Sequence, residues 1–565
     1  MKYARERLSW NGWGWSDKVF DLGERRDAVL EFLGETLHME IQGKEDPVSL
    51  KSMPLPDSRI TALAEEALVS ALERARVRTD RFERLFHAVG KSYWDVLRLR
   101  RGDVPCAPDV VVYPQGEGEV AEILSIAAEH KLAVIPYGGG SSVVGGVEAK
   151  EARGQHGVIT LDTSRMNRLL RVDKIAHTAT FQAGIYGPEL EDALAEHGLT
   201  LGHYPQSFEF STLGGWIAAR GSGQQSNRYG AAAKMLVAAR VVTPAGVLET
   251  KPFPGSSTGP DVNAWIAGSE GILGVITQAT VTVRPLPEVK DYRGFLFRSF
   301  VEGSEAVREM MHEELATAMI RLSDGDETRF FGAFKSVGSG PVRPRHILRD
   351  RALGAAGWRE GEMALMVVGL EGQREQVALE QLRAHRICLK YGGMPLGAGV
   401  GESWYEGRFE MPYARSMLLD YGFGVDTLET STPWSNVDRL YSEVTRTLHD
   451  AIAARELRGI VMAHISHSYK TGTSLYFTYV FPRDRRDATS ELDQWLEIKH
   501  AASDAIGAHG GTISHHHGVG RDHMPWLEAE KGDVALAMVR AAKGAVDPEG
   551  IMNPGAIVHT HTHEE

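Results

Sequence analysis

The chain has 565 residues, of which 24% are charged, and its formal net charge at pH 7 is −13. Hydrophobic residues make up 42% of it, so the composition is that of a globular protein and wholesale disorder is excluded. The acidic balance argues against a nucleic-acid partner. Two cysteines, Cys106 and Cys388, exclude a disulfide framework and any four-cysteine metal site.

The first predicted elements are helices, in an N-terminal region over residues 1–104. Residues 60–77 repeat apolar side chains at helical spacing. Residues 109–114 form a β-branched run that ends in proline, which predicts a strand. A helix over 117–131 and a strand over 132–137 complete a strand–helix–strand unit that runs into a glycine loop. The predicted apolar face of that helix comprises Val120, Ile123, Leu124 and Ala127.

The remaining chain divides into three parts that differ in composition and in predicted secondary structure. Residues 105–290 contain many strand-like runs with glycine-rich turns, and residues 291–500 alternate helices and strands as a second α+β unit. Residues 501–565 return to glycine and histidine, as expected for a tail packed against another domain. Residues 328–360 carry no motif, and their Gly, Pro and Arg content favours a mobile or substrate-gating segment.

Glycine is overrepresented, with 61 residues, and three clusters at 136–147, 211–230 and 268–277 contain many of them. Glycines lack a Cβ, so their N–H groups can converge on an anion, although a flexible turn is the alternative for the first cluster. No GxGxxG opens a helix after the strand, and no Walker lysine follows. The clusters together therefore predict a large cofactor with a pyrophosphate and an extended ring system.

Seven segments carry a family resemblance. They are LSWNGWGWSDKVF at 8–20, IPYGGGSSV at 135–143, LDTSRMNRLLRVD at 161–173, SFEFSTLGGWIAARGSG at 207–223, STGPDVNAWIAGSEGILGVIT at 257–277, LETSTPWSNVDRL at 428–440 and TISHHHGVG at 512–520. They resemble flavoproteins of the vanillyl-alcohol oxidase type and, over nearly the whole chain, the alkyldihydroxyacetonephosphate synthase family. The resemblance implies an α+β fold: a PCMH-type FAD-binding domain of two subdomains, an α+β cap domain over the isoalloxazine ring, and a helical N-terminal region.

The same resemblance assigns the cofactor-contacting residues. They are Pro136, Tyr137, Gly138, Gly139, Gly140, Ser141 and Ser142 in the pyrophosphate loop, Gln206, Ser207, Phe208, Glu209, Phe210, Ser211 and Thr212, then Ala219, Arg220, Gly221 and Ser222, and finally Glu270, Gly271, Ile272, Leu273, Gly274, Val275 and Ile276. No His or Cys stands where relatives attach the flavin, so FAD is expected to be held non-covalently.

The histidine run His515, His516 and His517 has three interpretations. A metal site needs further ligands, and no HxxxH or carboxylate partner lies at local spacing, so no metal ligand is assigned. A structural loop is the second interpretation. The resemblance favours the third, an acid–base or oxyanion-binding group beside the flavin. If the run is extended, His515 and His517 share one face.

Three further residues are assigned by the resemblance. Tyr476 stands in an alternating run, which predicts that Leu475 and Phe477 face the opposite side of a strand. By the resemblance Tyr476 matches a proton donor or acceptor, and Arg415 matches the partner of the substrate phosphate. Arg321 matches a residue important for activity. Its strand context implies a paired, cleft-lining side chain, with Asp324 or Glu429 as candidate partners.

The implied reaction exchanges the acyl chain of 1-acyl-dihydroxyacetone phosphate for a long-chain alcohol, through an adduct at flavin N5 and without net redox. An apolar tunnel would be required for these chains. The alternative is an FAD-dependent 2-hydroxy acid dehydrogenase acting on another small organic substrate. The family suggests a homodimer. The tryptophan-rich opening begins at residue 10, which leaves no room for a peroxisomal import segment. The sequence also lacks an export signal and an apolar membrane-spanning run, and it has few cysteines. We therefore expect a cytoplasmic protein, with peripheral membrane contact left open.

Overall fold

The computed structural model describes residues 5–41, 43–104, 106–336, 357–359 and 361–558. Most of the predicted gating segment, 337–356 and residue 360, therefore lies outside the described residues. The α-helices are Arg26–Leu37, Ala62–Leu72, Arg81–Phe86, Tyr93–Arg101, Glu117–Glu129, Gly187–Ala195, Leu213–Ala218, Ser226–Tyr229, Ala232–Met235, Val262–Ile266, Phe300–His312, Gly325–Ser336, Arg374–Lys390, Ala398–Gly407, Met411–Asp420, Val437–Ala453, Ala488–Ala508, Met524–Lys531 and Asp533–Val546.

The first half of the molecule contains two main sheets and one small sheet of two strands, β7 and β11. The strands of this half are β1 Val77–Arg78, β2 Val110–Val112, β3 Ala133–Tyr137, β4 Val158–Asp162, β5 Leu169–Asp173, β6 Thr178–Gln182, β7 Leu199–Thr200, β8 Leu236–Thr243, β9 Gly246–Glu249, β10 Val275–Thr282 and β11 Arg284–Pro285. The four-stranded sheet has the order β1-β2-β4-β3, and the five-stranded sheet has the order β5-β6-β10-β8-β9. β2 and β3 both pair in parallel with β4, and the glycine loop after β3 lies against Phe210 and Thr212.

The predicted strand–helix–strand unit is confirmed. Its helix buries Val120, Ile123, Leu124 and Ala127 against the four-stranded sheet, which is the face that helical periodicity predicted. The chain end also returns to this half, because a bridge joins Val134 to Met552. The segment around Met552 is thus packed on the glycine-rich unit.

The second half is one antiparallel sheet of seven strands. These are β12 Val289–Phe297, β13 Thr317–Ser323, β14 Ala364–Gly372, β15 Met394–Gly397, β16 Phe423–Pro433, β17 Ile460–Ser468 and β18 Gly472–Pro482, in the order β15-β12-β14-β13-β17-β18-β16. One face of the sheet is covered by helices, in a core that includes Val307, Ile387, Val444, Leu448 and Ile498. Strand alternation sends every second side chain to the other face.

That alternation separates core from site. On β18, Leu475 and Phe477 are fully buried in the core, whereas Tyr476 between them faces a cavity. On β13, Leu322 lies in the core and Arg321 faces the same cavity. The predicted orientation of Tyr476 is therefore confirmed.

Across the described ranges, no helix combines the length and apolar character that crossing a bilayer requires. The four-part domain division, the homodimer and the cytoplasmic location stay predictions.

Candidate active site

A cavity with a volume of ≈ 960 Å³ lies between the glycine loops of the first half and the open face of the seven-stranded sheet. This volume is at the upper end of the range for ligand sites. Of the residues predicted to contact the cofactor, the cavity wall includes Pro136, Tyr137, Gly138, Gly139, Gly140, Ser141, Ser142, Gln206, Ser207, Thr212, Ala219, Gly221, Ser222, Glu270, Gly271, Gly274, Val275 and Ile276. Most of the assigned positions are thus brought together around one space.

The other seven predicted cofactor residues are not part of that wall. They are Phe208, Glu209, Phe210, Ser211, Arg220, Ile272 and Leu273. Phe210 is packed against Trp13, and Ile272 and Leu273 belong to a core shared with the C-terminal helices. Ser211 accepts a hydrogen bond from the indole of Trp216 at 2.7 Å. Their positions suit support of the loops more than contact with a ligand.

The glycine loop after β3 is built for close approach. A Cβ added to Gly139 would lie 2.0 Å from the carbonyl oxygen of Phe210, so only glycine fits there. No described residue accepts a hydrogen bond from the backbone N–H groups of Gly139, Gly140 or Ser141. Unpaired N–H groups on a cavity wall form a cradle for an anion such as a pyrophosphate.

Tyr476 stands beside the histidine run on the opposite wall. Its ring centroid lies 5.6 Å from that of His517, edge to face, and 6.0 Å from that of His516. Burial raises the pKa of Tyr476 to about 12 and lowers the pKa of His517 to about 3. At neutral pH the pair therefore consists of a protonated phenol and a neutral imidazole.

The histidine run is not a strand. Its three residues form successive bends, so the alternation expected of an extended run does not apply. A buried carboxylate, Glu429, holds the run from β16: it accepts from Ser514 Oγ at 2.7 Å and from the backbone N–H groups of His515, His516 and His517 at 2.5, 3.1 and 2.8 Å. Although burial opposes it, the pKa of Glu429 stays well below its usual value because the histidines favour the carboxylate.

Arg415, on helix Met411–Asp420, also lines the cavity. It donates to the carbonyl oxygen of Lys91 at 2.8 Å and lies 5.7 Å from the ring of Trp13. It forms no ion pair with any residue in the described ranges, and burial lowers the pKa of its guanidinium. A cavity-lining cation without a carboxylate partner is suited to bind an anionic group of a ligand.

Comparison with known proteins gives consistent results for both halves. Residues 108–251 match the family described as FAD binding domain, and residues 286–557 match FAD linked oxidases, C-terminal domain. Alkyldihydroxyacetonephosphate synthase of Dictyostelium discoideum is 35% identical, over 99% of this chain and 94% of its own length. That of Trypanosoma brucei brucei is 33% identical, over 100% of this chain and 94% of its own length. The chain belongs to the alkyldihydroxyacetonephosphate synthase family.

The fold agrees with this assignment. A solved structure of an alkyldihydroxyacetonephosphate synthase matches with a TM-score of 0.82 at 30% identity, covering 97% of this chain and 98% of that one. The predicted two-part FAD-binding fold and the predicted FAD cofactor are confirmed, and the glycine cradle fits the pyrophosphate. The glycolate oxidase subunit of Bacillus subtilis, which represents the oxidoreductase alternative, is 25% identical over 79% of this chain.

The expected partner of Arg321 was wrong. Its Nη2 pairs with Glu327 at 2.9 Å, on the helix that follows β13, and not with Asp324 or Glu429. Asp324 instead accepts from the backbone N–H of Glu327 at 2.8 Å, and so fixes the start of that helix. The turn between strand and helix brings Glu327 back over Arg321.

Two histidines that the sequence analysis did not single out join the site. His464 on β17 is hydrogen-bonded to Glu327 at 2.9 Å and stacks on Tyr476 with centroids 4.9 Å apart. His467 follows three residues later and would point away in a regular strand. The pairing of β17 with β18 shifts between Ile465 and Ser468, and this irregularity turns His467 to the cavity as well.

The tryptophan-rich opening of this synthase-family chain lies over the glycine loop. Trp13 packs edge to face on Phe210 at 5.1 Å. Arg5 donates to the carbonyl of Gly138 and pairs with Asp162 at 2.6 Å, with the side chains of both almost fully buried. The opening therefore anchors the loop from outside.

Proposed function

We propose that this chain is an alkyldihydroxyacetonephosphate synthase that acts on 1-acyl-dihydroxyacetone phosphate and a long-chain alcohol. One observation carries the proposal: a single cavity is lined by an arginine without a carboxylate partner, a tyrosine beside histidines, and an apolar wall. The reaction needs these three features together, for a phosphate, a proton and an alkyl chain respectively.

The phosphate is assigned to Arg415. A guanidinium can hold two phosphate oxygens at once. Within the described ranges it donates one hydrogen bond, to Lys91, and forms no ion pair with a carboxylate, so other N–H groups remain for a ligand. The phosphate would restore the charge balance of this part of the cavity.

The acyl and alkyl chains are assigned to the apolar wall, which comprises Phe20, Leu22, Phe330, Phe334 and Leu418. These side chains belong to one cluster, packed between the N-terminal helix and the edge of the seven-stranded sheet. Burying a methylene group stabilises by about 0.8 kcal/mol, so a long chain gains substantial affinity from such a surface. We therefore assign to this wall the role that an apolar tunnel would have.

Proton handling is assigned to Tyr476 and the histidine run. In the exchange, the bond from C1 to the ester oxygen breaks and releases a fatty carboxylate, the alcohol oxygen bonds to C1, and the proton of the alcohol is given up. The protonated phenol of Tyr476 and the neutral imidazole of His517 supply one donor and one acceptor for these transfers. Bound FAD supplies a ring nitrogen that allows substitution at C1 without net oxidation or reduction.

The test is incubation of the yellow holoprotein with acyl-dihydroxyacetone phosphate and labelled hexadecanol, followed by analysis for the alkyl ether. We expect ether formation, loss of it in Tyr476→Phe with FAD retained, and normal activity in Tyr391→Phe. Tyr391 is a suitable control because its hydroxyl binds Glu309 away from the cavity. Absence of ether product from the parent protein would refute the proposal.

A second assay separates the oxidoreductase alternative. Anaerobic addition of D-lactate, glycolate or D-2-hydroxyglutarate is expected to leave the flavin oxidised. Rapid bleaching at stoichiometric substrate would favour a dehydrogenase.

A further inference from the structure

Three histidines converge beside the cavity: His467 on β17, and the consecutive His515 and His516 of the histidine run. The ring centroid of His467 lies 5.1 Å from that of His515 and 4.9 Å from that of His516, and the last two are 5.2 Å apart. One ring nitrogen of each lies within 4.8 Å of the others. The partner that local spacing could not provide is thus supplied by β17.

The outer nitrogens of two of these rings are held by hydroxyl groups. His467 Nδ1 is hydrogen-bonded to Ser226 Oγ at 2.7 Å, and His515 Nε2 to Tyr469 OH at 2.5 Å. Metal-ligating imidazoles characteristically bind a second group through their other nitrogen, which fixes the tautomer and the ring orientation. Each of these two rings is therefore held through one nitrogen, which leaves Nε2 of His467 and Nδ1 of His515 as the candidate ligand atoms.

The electrostatics of the cluster favour a cation. His467 is buried, and His515 and His516 are half-buried. The carboxylate of Glu429 lies next to the cluster, with Oε2 3.4 Å from His516 Nδ1. A divalent ion here would meet three imidazole nitrogens and a nearby negative charge.

We propose that His467, His515 and His516 form a binding site for one divalent transition-metal ion of the zinc class. Three imidazoles with an open fourth position are an established ligand set for Zn²⁺. Because His467 and His516 line the cavity, the fourth position faces it, where water or a ligand oxygen completes the coordination. His517 is not part of the set and stays beside Tyr476.

Without an ion, two of the three rings are hydrogen-bonded to each other. His515 Nδ1 and His516 Nδ1 lie 2.9 Å apart and share a hydrogen bond. A tetrahedral Zn²⁺ with Zn–N distances of about 2.1 Å would hold its ligand nitrogens roughly 3.4 Å apart. Small rotations of the two rings would separate their nitrogens by this difference, and bonds to the ion would then replace the hydrogen bond between them.

The experiment uses full-length holoprotein in which His559, His561 and His563 of the C-terminal tail are replaced by alanine, because their alternation is a competing weak site. Protein purified without an affinity metal is treated with a chelator and titrated with Co²⁺. We expect one equivalent to bind and to give the visible d–d bands of tetrahedral Co²⁺, at longer wavelength than oxidised flavin. Zn²⁺ should displace it stoichiometrically.

Three variants in that background locate the ion. His467→Ala should abolish the bands, Ser226→Ala should weaken Co²⁺ binding roughly 10-fold, and the exposed control His449→Ala should match the parent. Flavin absorbance reports that each variant is folded. Absence of the bands in the parent at one equivalent, or equal Co²⁺ binding by the parent and folded His467→Ala, would overturn the site.

Discussion

Replacing Glu429 with glutamine tests how the histidine run is positioned. The carboxylate is 1% exposed and uses both oxygens: Oε1 accepts from Ser514 Oγ and from the N–H of His517, and Oε2 accepts from the N–H of His515. The amide of glutamine has nearly the same size but one oxygen only. Its NH₂ group must therefore face a backbone donor.

The expected loss in the free energy of unfolding follows from these hydrogen bonds. A buried donor left without an acceptor costs about 1–3 kcal/mol, and hydrogen bonds to a charged group are worth about 1 kcal/mol more than neutral ones. One orphaned N–H and the weakening of the remaining bonds give a total loss of about 3–4 kcal/mol. A loss of that size exceeds the usual effect of a single substitution, so the loop is expected to leave its present conformation.

The assay is urea unfolding of the holoprotein followed by flavin fluorescence, together with ether formation. We expect the free energy of unfolding to fall by about 3 kcal/mol in Glu429→Gln and activity to be lost. Glu443→Gln is the matched control, since Glu443 is a surface carboxylate paired with Arg446; its effect should stay within about 0.5 kcal/mol. A change equally small in Glu429→Gln, with activity kept, would show that the carboxylate does not hold the run.

Three further changes test two residues of the site and one buried carboxyl group outside the cavity wall. Arg415→Ala is expected to raise the KM for acyl-dihydroxyacetone phosphate roughly 100-fold, from loss of a charged bidentate contact of about 3 kcal/mol, and Arg415→Lys to recover part of it; an unchanged KM would remove the phosphate anchor. Glu327→Gln should lower kcat about tenfold or more with KM nearly constant, because the charged oxygen that Arg321 and His464 share becomes a neutral amide oxygen, which holds both groups less firmly; a change in KM alone would contradict this positioning role. Burial raises the pKa of Asp522 from 3.8 to about 7, so between these values the native state keeps a proton that the unfolded chain has lost, and stability falls as pH rises. Asp522→Asn should therefore be more stable than the parent at pH 8 but not at pH 4 in urea unfolding, and an equal difference at both pH values would contradict the shift.

Periodicity and glycine placement were enough to predict the strand–helix–strand unit of the first half and the glycine loop that follows it. The helix after β2 buries the four side chains that a 3.6-residue repeat assigned to its apolar face, and β3 runs into its glycine loop at the predicted position. Both are local patterns, in which the chain neighbours determine the structure. The orientation of Tyr476 followed in the same way from a two-residue repeat.

The parts that sequence reasoning missed depend on contacts that no local repeat encodes. The partner of Arg321 was sought among Asp324 and Glu429, but the turn into helix Gly325–Ser336 places Glu327 against it. His467 faces the cavity only because the β17–β18 pairing is irregular. The position of His467 in the hairpin that also carries Tyr476 could have indicated that it belongs to the site. A regular strand, however, would have directed its side chain away from the cavity.

Two carboxylates explain why the histidine run, 39 residues beyond Tyr476, can act in a site shared by both halves. Glu429 holds the start of the loop from the seven-stranded sheet, and Glu270, from a glycine loop of the cofactor half, accepts from the N–H groups of Val519 and Gly520 at 2.6 and 2.7 Å. The segment between them is therefore fixed to both halves at once. Because Glu270 also lines the cavity, a ligand that shifts the cofactor loop also shifts one of the two anchors of the histidines. This geometry predicts that cofactor binding and the placement of the proton-handling groups are coupled through this short segment, because its backbone is held at one end by each half of the molecule.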